Sequence, residues 1–373
     1  MANHCDVLQY ASKLSSINKG TSLNNRDSNT RLRFFRKHCE IVSGGLFAVC
    51  SLQIPFDREV EEQFDIELPN SILQTIASEL REEPSLVISI NGTHAHFEFA
   101  KGYFDIPIRT EWGKFDFQYY KDSYCEVGHI EAHAITSSVP KLLQSSDEKH
   151  TMAAMRLSAD SGLMRAFSTD MKIAARLTVP CKGTLSPINL PFAGLGVVRW
   201  AVSEFGELDT LKIAQSGTQI VIKCGPFCAW LKQIDVQFPD INKVFLRSEE
   251  RATSSARFDT RSIASAASQA SKMGYDSCRL YLETDTRMEA GDSANDRFKV
   301  AVSGTFSDEA RYKISPDYVV TATNCLSRLA FSEFDFKYSQ SNPSLPVLIK
   351  ANRDGGCDVS VVIASLDWDR NQA

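Results

Sequence analysis

The chain has 373 residues, of which 43% are hydrophobic and 23% are charged, and its formal net charge is −5. This composition indicates a soluble globular protein with two or three domains of about 100–200 residues each. The acidic balance disfavours a protein that grips DNA mainly through phosphates, because such proteins are usually basic. No apolar run approaches the ~20 residues that span a bilayer, and the N-terminus MANHCDVLQY lacks a signal-peptide pattern, which favours the cytoplasm.

The ten cysteines and the histidines predict neither a metal site nor a cofactor. Only Cys224 and Cys228 lie close together, and a zinc site needs about four ligands. His94 and His96 alternate on a predicted strand with no third ligand nearby, which favours exposed strand residues. The thiols are expected to be free in a reducing compartment. No Ser-His-Asp set or pair of carboxylates stands out, so we expect no enzymatic activity.

The predicted elements of the first third are a helix over 5–17, strands within 31–42, a second helix after Leu68, and a hairpin. The helix after Leu68 follows a proline and has apolar residues three or four apart. The hairpin that follows turns at Asn91-Gly92. The first third therefore contains two units, each a helix followed by strands.

The same order of elements recurs twice along the chain. Helices are predicted over 129–144 and 260–273, and each precedes alternating, strand-like residues. Proline-started helices and hairpins then begin again at Leu190 and Ile314, which lie 122 and 124 residues after the preceding repeat start. A period near 120 residues is too long for a solenoid and suits tandem domains. We predict three domains, over 1–124, 125–248 and 249–373.

The segment VQFPDINKVF (236–245) precedes the second predicted boundary. Pro239 has no amide donor and is expected to end the last strand of the second domain. The polar stretch SEERATSSA (248–256) is typical of a connector between domains.

Four further features of the sequence are the segments LMRAFSTDMKIAARLTVP (163–180), VQFPDINKVF, ISPDYVVTATNCLSRL (314–329) and VVIASL (361–366). Together they resemble segments of the bacterial sliding clamp, the β subunit of replicative DNA polymerase. The resemblance implies an α+β fold of three tandem clamp-type domains, each with two helices packed on antiparallel sheets. It also implies a head-to-tail homodimer that closes as a ring around double-stranded DNA. Replicative and repair DNA polymerases and the clamp loader are the implied partners, and they would dock a short peptide in an apolar groove.

The resemblance places that groove on four parts of this chain. The implied groove residues are Met152, Thr169, Lys172, Ile173, Pro239, Lys243, Val244, Val361, Val362, Ile363 and Ala364. Met171 stands where the family has a glycine, so the turn after Asp170 is expected to differ if that glycine needs a positive φ. A tail, DWDRNQA (367–373), extends past the family's usual end and could reshape the groove.

The resemblance also implies DNA-facing and dimer-forming residues. The DNA-facing candidates are Lys13, Lys19, Lys141, Lys149, Arg199, Arg261, Lys272 and Arg328. The dimer-interface candidates are Phe104, Ile106, Gln269, Ala270 and Met273. Pro107 lies in the expected edge strand, where it removes one donor. A divergent clamp-like protein that binds replication partners without encircling DNA remains the alternative.

Overall fold

The computed structural model describes residues 4–18, 29–44, 48–56, 59–60, 63–80, 86–108, 124–137, 154–207, 209–235, 238–293, 296–353 and 356–366. Its helices are α1 His4–Asn18, α2 Asn70–Glu79, α3 His129–Ser137, α4 Phe192–Phe205, α5 Ile241–Arg251, α6 Thr260–Lys272 and α7 Pro316–Arg328. All six helices expected from the sequence are confirmed in the described part of the chain. The second half of the predicted helix over 129–144 lies outside the described residues.

The strands of the first half are β1 Asn29–Phe34, β2 His38–Gly44, β3 Ala48–Pro55, β4 Phe64–Pro69, β5 Leu86–Asn91, β6 His94–Phe99, β7 Gly102–Pro107, β8 Cys125–Val127, β9 Ala154–Asp160, β10 Leu163–Thr169, β11 Ile173–Pro180 and β12 Leu185–Pro191. The strands of the second half are β13 Leu211–Ser216, β14 Gln219–Cys224, β15 Phe227–Lys232, β16 Ser254–Asp259, β17 Cys278–Leu282, β18 Arg287–Ser293, β19 Asp296–Ala301, β20 Gly304–Phe306, β21 Ala310–Ile314, β22 Glu333–Tyr338, β23 Val347–Arg353 and β24 Cys357–Ile363.

The chain forms two compact units, one from residues 1–129 and 190–234 and the other from residues 130–189 and 235–373. The first unit contains an eight-stranded sheet in the order β4-β1-β2-β3-β15-β14-β13-β8 and a three-stranded sheet β5-β6-β7. Helices α1 and α2 pack against each other, and α4 packs on β14 and β15. The strand β1 buries alternate residues, as expected for a sheet with one face against helices.

The second unit contains a nine-stranded sheet in the order β12-β9-β10-β11-β24-β23-β22-β16-β20 and a four-stranded sheet β19-β18-β17-β21. Helices α6 and α7 pack against each other. The Asp259 carboxylate accepts a hydrogen bond from the backbone N–H of Ser262 at 2.7 Å and caps α6. Pro316 begins α7, where its missing N–H costs no helical hydrogen bond.

Two sequence expectations around Pro239 are wrong. The last strand before it, β15, ends at Lys232, so Pro239 does not terminate a strand. The stretch after it is helix α5, whose buried residues Ile241, Phe245 and Ser248 recur at helical spacing. The predicted connector 248–256 is therefore the end of α5 followed by the start of β16. The domain boundaries near 124 and 248 stay predictions, and α5 spans residue 248.

Candidate functional site

The turn between β10 and β11 is held by the side chains of Thr169 and Asp170. The Thr169 hydroxyl donates to the carbonyl oxygen of Ile173 at 2.9 Å and accepts from the N–H of Met171 at 3.0 Å. The Asp170 carboxylate accepts from the N–H groups of Lys172 and Ile173, both at 2.8 Å. Side chains of this kind replace the hydrogen bonds that a tight turn leaves unmade. The Thr-Asp pair thereby fixes the backbone of one wall of the site.

Met171 occupies the left-handed region of backbone space, with φ of +75°. The residue is 69% exposed. A residue with a Cβ is disfavoured there by roughly 1–2 kcal/mol. The turn therefore adopts a positive φ without glycine, at a cost that the hydrogen bonds of Thr169 and Asp170 offset.

A tyrosine of α7 contacts the same turn. Burial, together with the charge of the Asp170 carboxylate and the hydrogen bond that this carboxylate accepts from the phenol, raises the pKa of Tyr318 to about 12. The phenol therefore stays protonated through the physiological range. It donates to a carboxylate that already accepts from two backbone groups of the turn.

The second wall is the segment Phe238-Pro239-Asp240 and the first turns of α5. Phe238, Ile241 and Phe245 are buried together with Phe167 and Val362. Val244, one position before Phe245, remains 41% exposed. The helix therefore anchors one face in the core while it presents Val244 beside the turn at 169–173.

The third wall is the end of β24. Val362 pairs with Ala174 of β11, and the backbone N–H of Ala364 donates to the carbonyl oxygen of Lys172 at 2.8 Å. Alternate residues of a strand point to opposite faces of the sheet. Val361 and Ile363 therefore point away from Val362, and both are fully buried.

These three walls enclose an apolar cleft of about 150 Å³. Its lining residues are Thr169, Met171, Lys172, Ile173, Ala174, Pro239, Ile241, Val244, Pro346, Val362 and Ala364. We call this set the cleft. Its surface is mostly apolar with a few polar groups at the edge, which suits an extended peptide with apolar anchors.

The structure brings most of the expected groove residues together. Those that line the cleft are Thr169, Lys172, Ile173, Pro239, Val244, Val362 and Ala364. Val361 and Ile363 do not, because of the strand alternation. Lys243 does not line it either, and its ammonium forms an ion pair with Asp240 at 3.0 Å. Met152 and the tail 367–373 lie outside the described residues.

Four lining residues were missing from the expected set: Met171, Ala174, Ile241 and Pro346. Ile241 had a detectable signal, since it lies four residues before Phe245 in a helical pattern. Pro346 precedes β23, and only the pairing of β23 with β24 brings it near the turn.

The structure describes five of the eight residues that the resemblance marks as DNA-facing. Lys13 of α1 is 55% exposed and forms an ion pair with Glu204 of α4 at 3.7 Å. Arg199 of α4 is half-buried, whereas Arg261, Lys272 and Arg328 are exposed. Lys19, Lys141 and Lys149 lie outside the described residues.

The expected dimer residues fall into two groups. In β7, the end strand of its sheet, Ile106 is buried and Phe104 stacks on Phe99. On α6, Gln269 is exposed, whereas Ala270 is fully buried and has no surface to offer a partner. The prediction of Ala270 as an interface residue is therefore wrong, since it belongs to the core beneath α6. Met273 ends α6 and is 58% exposed.

Within the described ranges, no three potential metal ligands lie close enough together to hold an ion. His96 is instead engaged by Asp105, with Nδ1 and Oδ1 separated by 2.8 Å. None of the helices described here has the length and apolar character required to cross a membrane.

The order of strands and helices is the fold of the bacterial sliding clamps, which confirms the fold class that the sequence resemblance implied. Among solved structures, the β subunit of the DNA polymerase of Streptococcus pyogenes superposes with a TM-score of 0.84 at 10% identity, covering 98% of this chain and 99% of that one. The DNA polymerase III subunit β of Pseudomonas aeruginosa gives 0.81 at 15% identity, covering 98% of each chain. The sliding clamp of Bacillus subtilis gives 0.83 at 12% identity, again covering 98% of each. No protein-family model and no curated protein matches the chain in sequence.

Proposed function

We propose that this protein is a DNA sliding clamp, a non-enzymatic processivity factor that encircles duplex DNA in the cytoplasm and tethers DNA polymerases to it. The observation that carries the proposal is the likeness to sliding clamps over nearly the full length of both chains. Fold likeness alone is weak evidence of function, so a site must support it. The cleft is that site, because seven of the residues that the resemblance marks as the partner groove line it.

Docking of polymerases and of the clamp loader is assigned to the cleft. Val244, Ile173 and Val362 of its walls would contact an apolar anchor. Thr169 and Lys172 supply polar groups at its edge. Peptide sites of this type obtain affinity from a few buried anchors and orientation from a small number of polar groups. A short, extended segment of a polymerase or loader subunit fits this description.

Encirclement is compatible with an acidic protein. A closed ring holds DNA topologically, whereas many close phosphate contacts would slow its sliding. The few exposed cations of α6 and α7, Arg261, Lys272 and Arg328, supply a weak attraction without tight binding. The net charge of −5 disfavours DNA binding elsewhere on the surface.

Ring closure is assigned to a homodimer. Strand β7 ends its sheet in the first unit, and β19 ends its sheet in the second. End strands of this kind can extend a sheet across two subunits. Exposed Tyr103 in β7 and exposed Met273 at the end of α6 add apolar surface.

The test combines solution mass with retention on DNA. A subunit of 41.5 kDa should give twice that mass by light scattering. After loading, the protein should stay on a closed circular plasmid and leave once the plasmid is linearised. A monomer that shows no such topological retention would overturn the proposal.

The alternative is a clamp-like protein that binds replication partners without encircling DNA. The observation that favours it is the α6 surface, where Gln269 is polar and Ala270 is buried. This alternative predicts a monomer that still binds the partner peptide in the cleft. The same two measurements, with a peptide titration, separate it from the ring.

A further inference from the structure

A second cavity, of about 250 Å³, borders the cleft. Its lining residues are Arg156, Ser158, Phe167, Pro187, Phe238, Pro239, Asp240, Ile241 and Asn242, and we call this set the arginine pocket. Pro239 and Ile241 line both cavities. Below them, Phe167 and Phe238 belong to the same buried cluster as Val362 of the cleft. The two cavities therefore share a rigid floor and are separated by little more than one residue.

The arginine pocket differs from the cleft in chemistry. It combines the guanidinium of Arg156 with the hydroxyl of Ser158 and the side-chain amide of Asn242. Arg156 is half-buried on β9, with its guanidinium carbon 5.8 Å from the centre of the Phe238 ring. That ring restricts the guanidinium and shields one side of it from water. No hydrogen bond joins the guanidinium of Arg156 to another of the described residues.

Arg156 has no ion pair with any carboxylate in the described part of the chain. A neighbouring arginine on the same sheet is different: Arg176 stacks on Phe245 at 4.7 Å and donates to the Ser360 hydroxyl at 3.3 Å. Arg176 is thus used internally by the fold. Arg156 lines an open cavity and lacks such a polar partner among the described residues.

The acid that lines the pocket is already engaged. The Asp240 carboxylate lies 3.0 Å from the Lys243 ammonium, and hydrogen bonding by Lys243, aided by the charge of Arg156, holds the pKa of Asp240 below its usual range. Two cations, Arg156 and Lys243, therefore face one carboxylate. The local balance is positive although the whole protein is acidic, so the pocket attracts an anionic group.

We propose that the partner segment whose apolar anchor occupies the cleft carries an acidic residue next to that anchor, and that this residue pairs with Arg156 in the arginine pocket. The inference rests on the proposed function, because it needs the cleft to be the docking site. Residues of an extended chain follow each other at about 3.3 Å. An acidic residue one or two positions from the anchor therefore crosses Pro239 and reaches the pocket. Lys243, expected from the sequence to line the groove, serves instead to neutralise Asp240.

The test is a set of fluorescent peptides with a Leu-Phe anchor, in which Glu is moved through the flanking positions and each Glu peptide has a Gln counterpart. Anisotropy titrations on the full chain compare the wild type with Arg156→Gln, Arg156→Lys and Arg165→Gln. Arg165 lies on neighbouring β10 and lines neither cavity, so Arg165→Gln is the matched control.

In the wild type, one Glu position should improve affinity about three- to fivefold over its Gln counterpart, as expected for a partly shielded ion pair. Arg156→Gln should abolish that preference and leave the Gln peptide unchanged. Arg156→Lys should retain part of it, and Arg165→Gln all of it. The preference should shrink at about 0.5 M salt, where charges are screened.

Two negative results have different meanings. If peptides bind the wild type and Val244→Asp abolishes binding of the Gln peptides, the cleft proposal stands. In that case, equal affinity for all Glu and Gln pairs, or an acidic preference that survives Arg156→Gln, overturns the inference about Arg156. If no peptide binds the wild type, the docking role of the cleft fails, and the inference fails with it.

Discussion

The backbone N–H of Ala364 donates to the carbonyl oxygen of Lys172 at 2.8 Å and joins the end of β24 to the turn after β10. This single bond connects two walls of the cleft that are far apart in the sequence. It also continues the β11–β24 pairing by one step beyond Ile363. The cleft therefore forms only when β24 pairs with β11, and its shape depends on the turn at 169–173.

Val244→Asp should remove partner binding without unfolding the protein. Val244 is partly exposed and lines the cleft, so a carboxylate there repels an apolar anchor and should weaken a Leu-Phe peptide by at least about tenfold. Leu246→Asp is the matched control, since Leu246 lies on the same helix, is 56% exposed and does not line the cleft. Equal affinities of the two variants in an anisotropy titration would remove the assignment of the cleft.

The left-handed backbone of Met171 predicts opposite effects of two substitutions on stability. Met171→Val should lower the free energy of unfolding by about 1–2 kcal/mol, because a β-branched residue is strongly disfavoured at positive φ. Met171→Gly should change it by less than about 1 kcal/mol, since the strain it relieves is offset by the greater entropy of unfolded glycine. Urea unfolding measures both. A Val variant as stable as wild type would contradict the strained turn.

Thr169→Val should damage the turn, and Thr169→Ser should preserve it. The valine variant loses the hydroxyl that donates to Ile173 and accepts from Met171, in a site that is 95% shielded from solvent. Leaving such groups without a partner costs about 1–3 kcal/mol. Unfolding should show that loss for Val, and peptide affinity should fall with it. Comparable losses for Ser would mean that the methyl group, not the hydroxyl, matters.

Neutralising the exposed cations of α6 should weaken DNA binding in a salt-dependent way. If Arg261 and Lys272 approach phosphates, Arg261→Ala and Lys272→Ala should each reduce the slope of log affinity against log salt by about one. Arg257→Ala is the control, because Arg257 of β16 is already paired with Glu333 at 3.0 Å. Filter binding to duplex DNA between about 50 and 200 mM salt gives the slopes. An unchanged slope in both α6 variants would remove these residues from the DNA-facing set.

Buried thiols predict lower stability at alkaline pH. Burial raises the pKa of Cys278 and of Cys325 to about 12, while an unfolded thiol titrates near 8.5. The folded state therefore binds more protons above that pH, so the stability that the neutral thiols contribute is complete below about pH 8 and falls as the pH rises toward 12. The free energy of unfolding in reductant should decline from pH 8 to pH 10, and the decline should be smaller in Cys278→Ala. An identical decline in that variant would show that other groups cause it.

The sequence predicted the helices because their signals are local, whereas the cleft residues were predicted only through the resemblance to the sliding clamps. Pro-started helices, helical spacing and hairpin turns do not depend on distant residues. Helix α5 was missed because Pro239 and the polar run 248–251 are typical of loops, although Ile241 and Phe245 follow helical spacing. The faces of β24 could not be assigned, since its residues 361–363 are all apolar and only pairing with β11 decides which one meets the cleft. The burial of Ala270 likewise depends on where α7 packs.

The pairing of β24 with β11 also determines when a newly made molecule completes its cleft. The residues that complete the cleft, Val362 and Ala364, are translated almost 200 positions after Thr169 and Ile173. A nascent chain on the ribosome has no finished cleft, even if its earlier sheets have already formed. The cleft is thereby completed only after synthesis has passed β24, so truncated molecules that end before this strand lack Val362 and Ala364 of its lining.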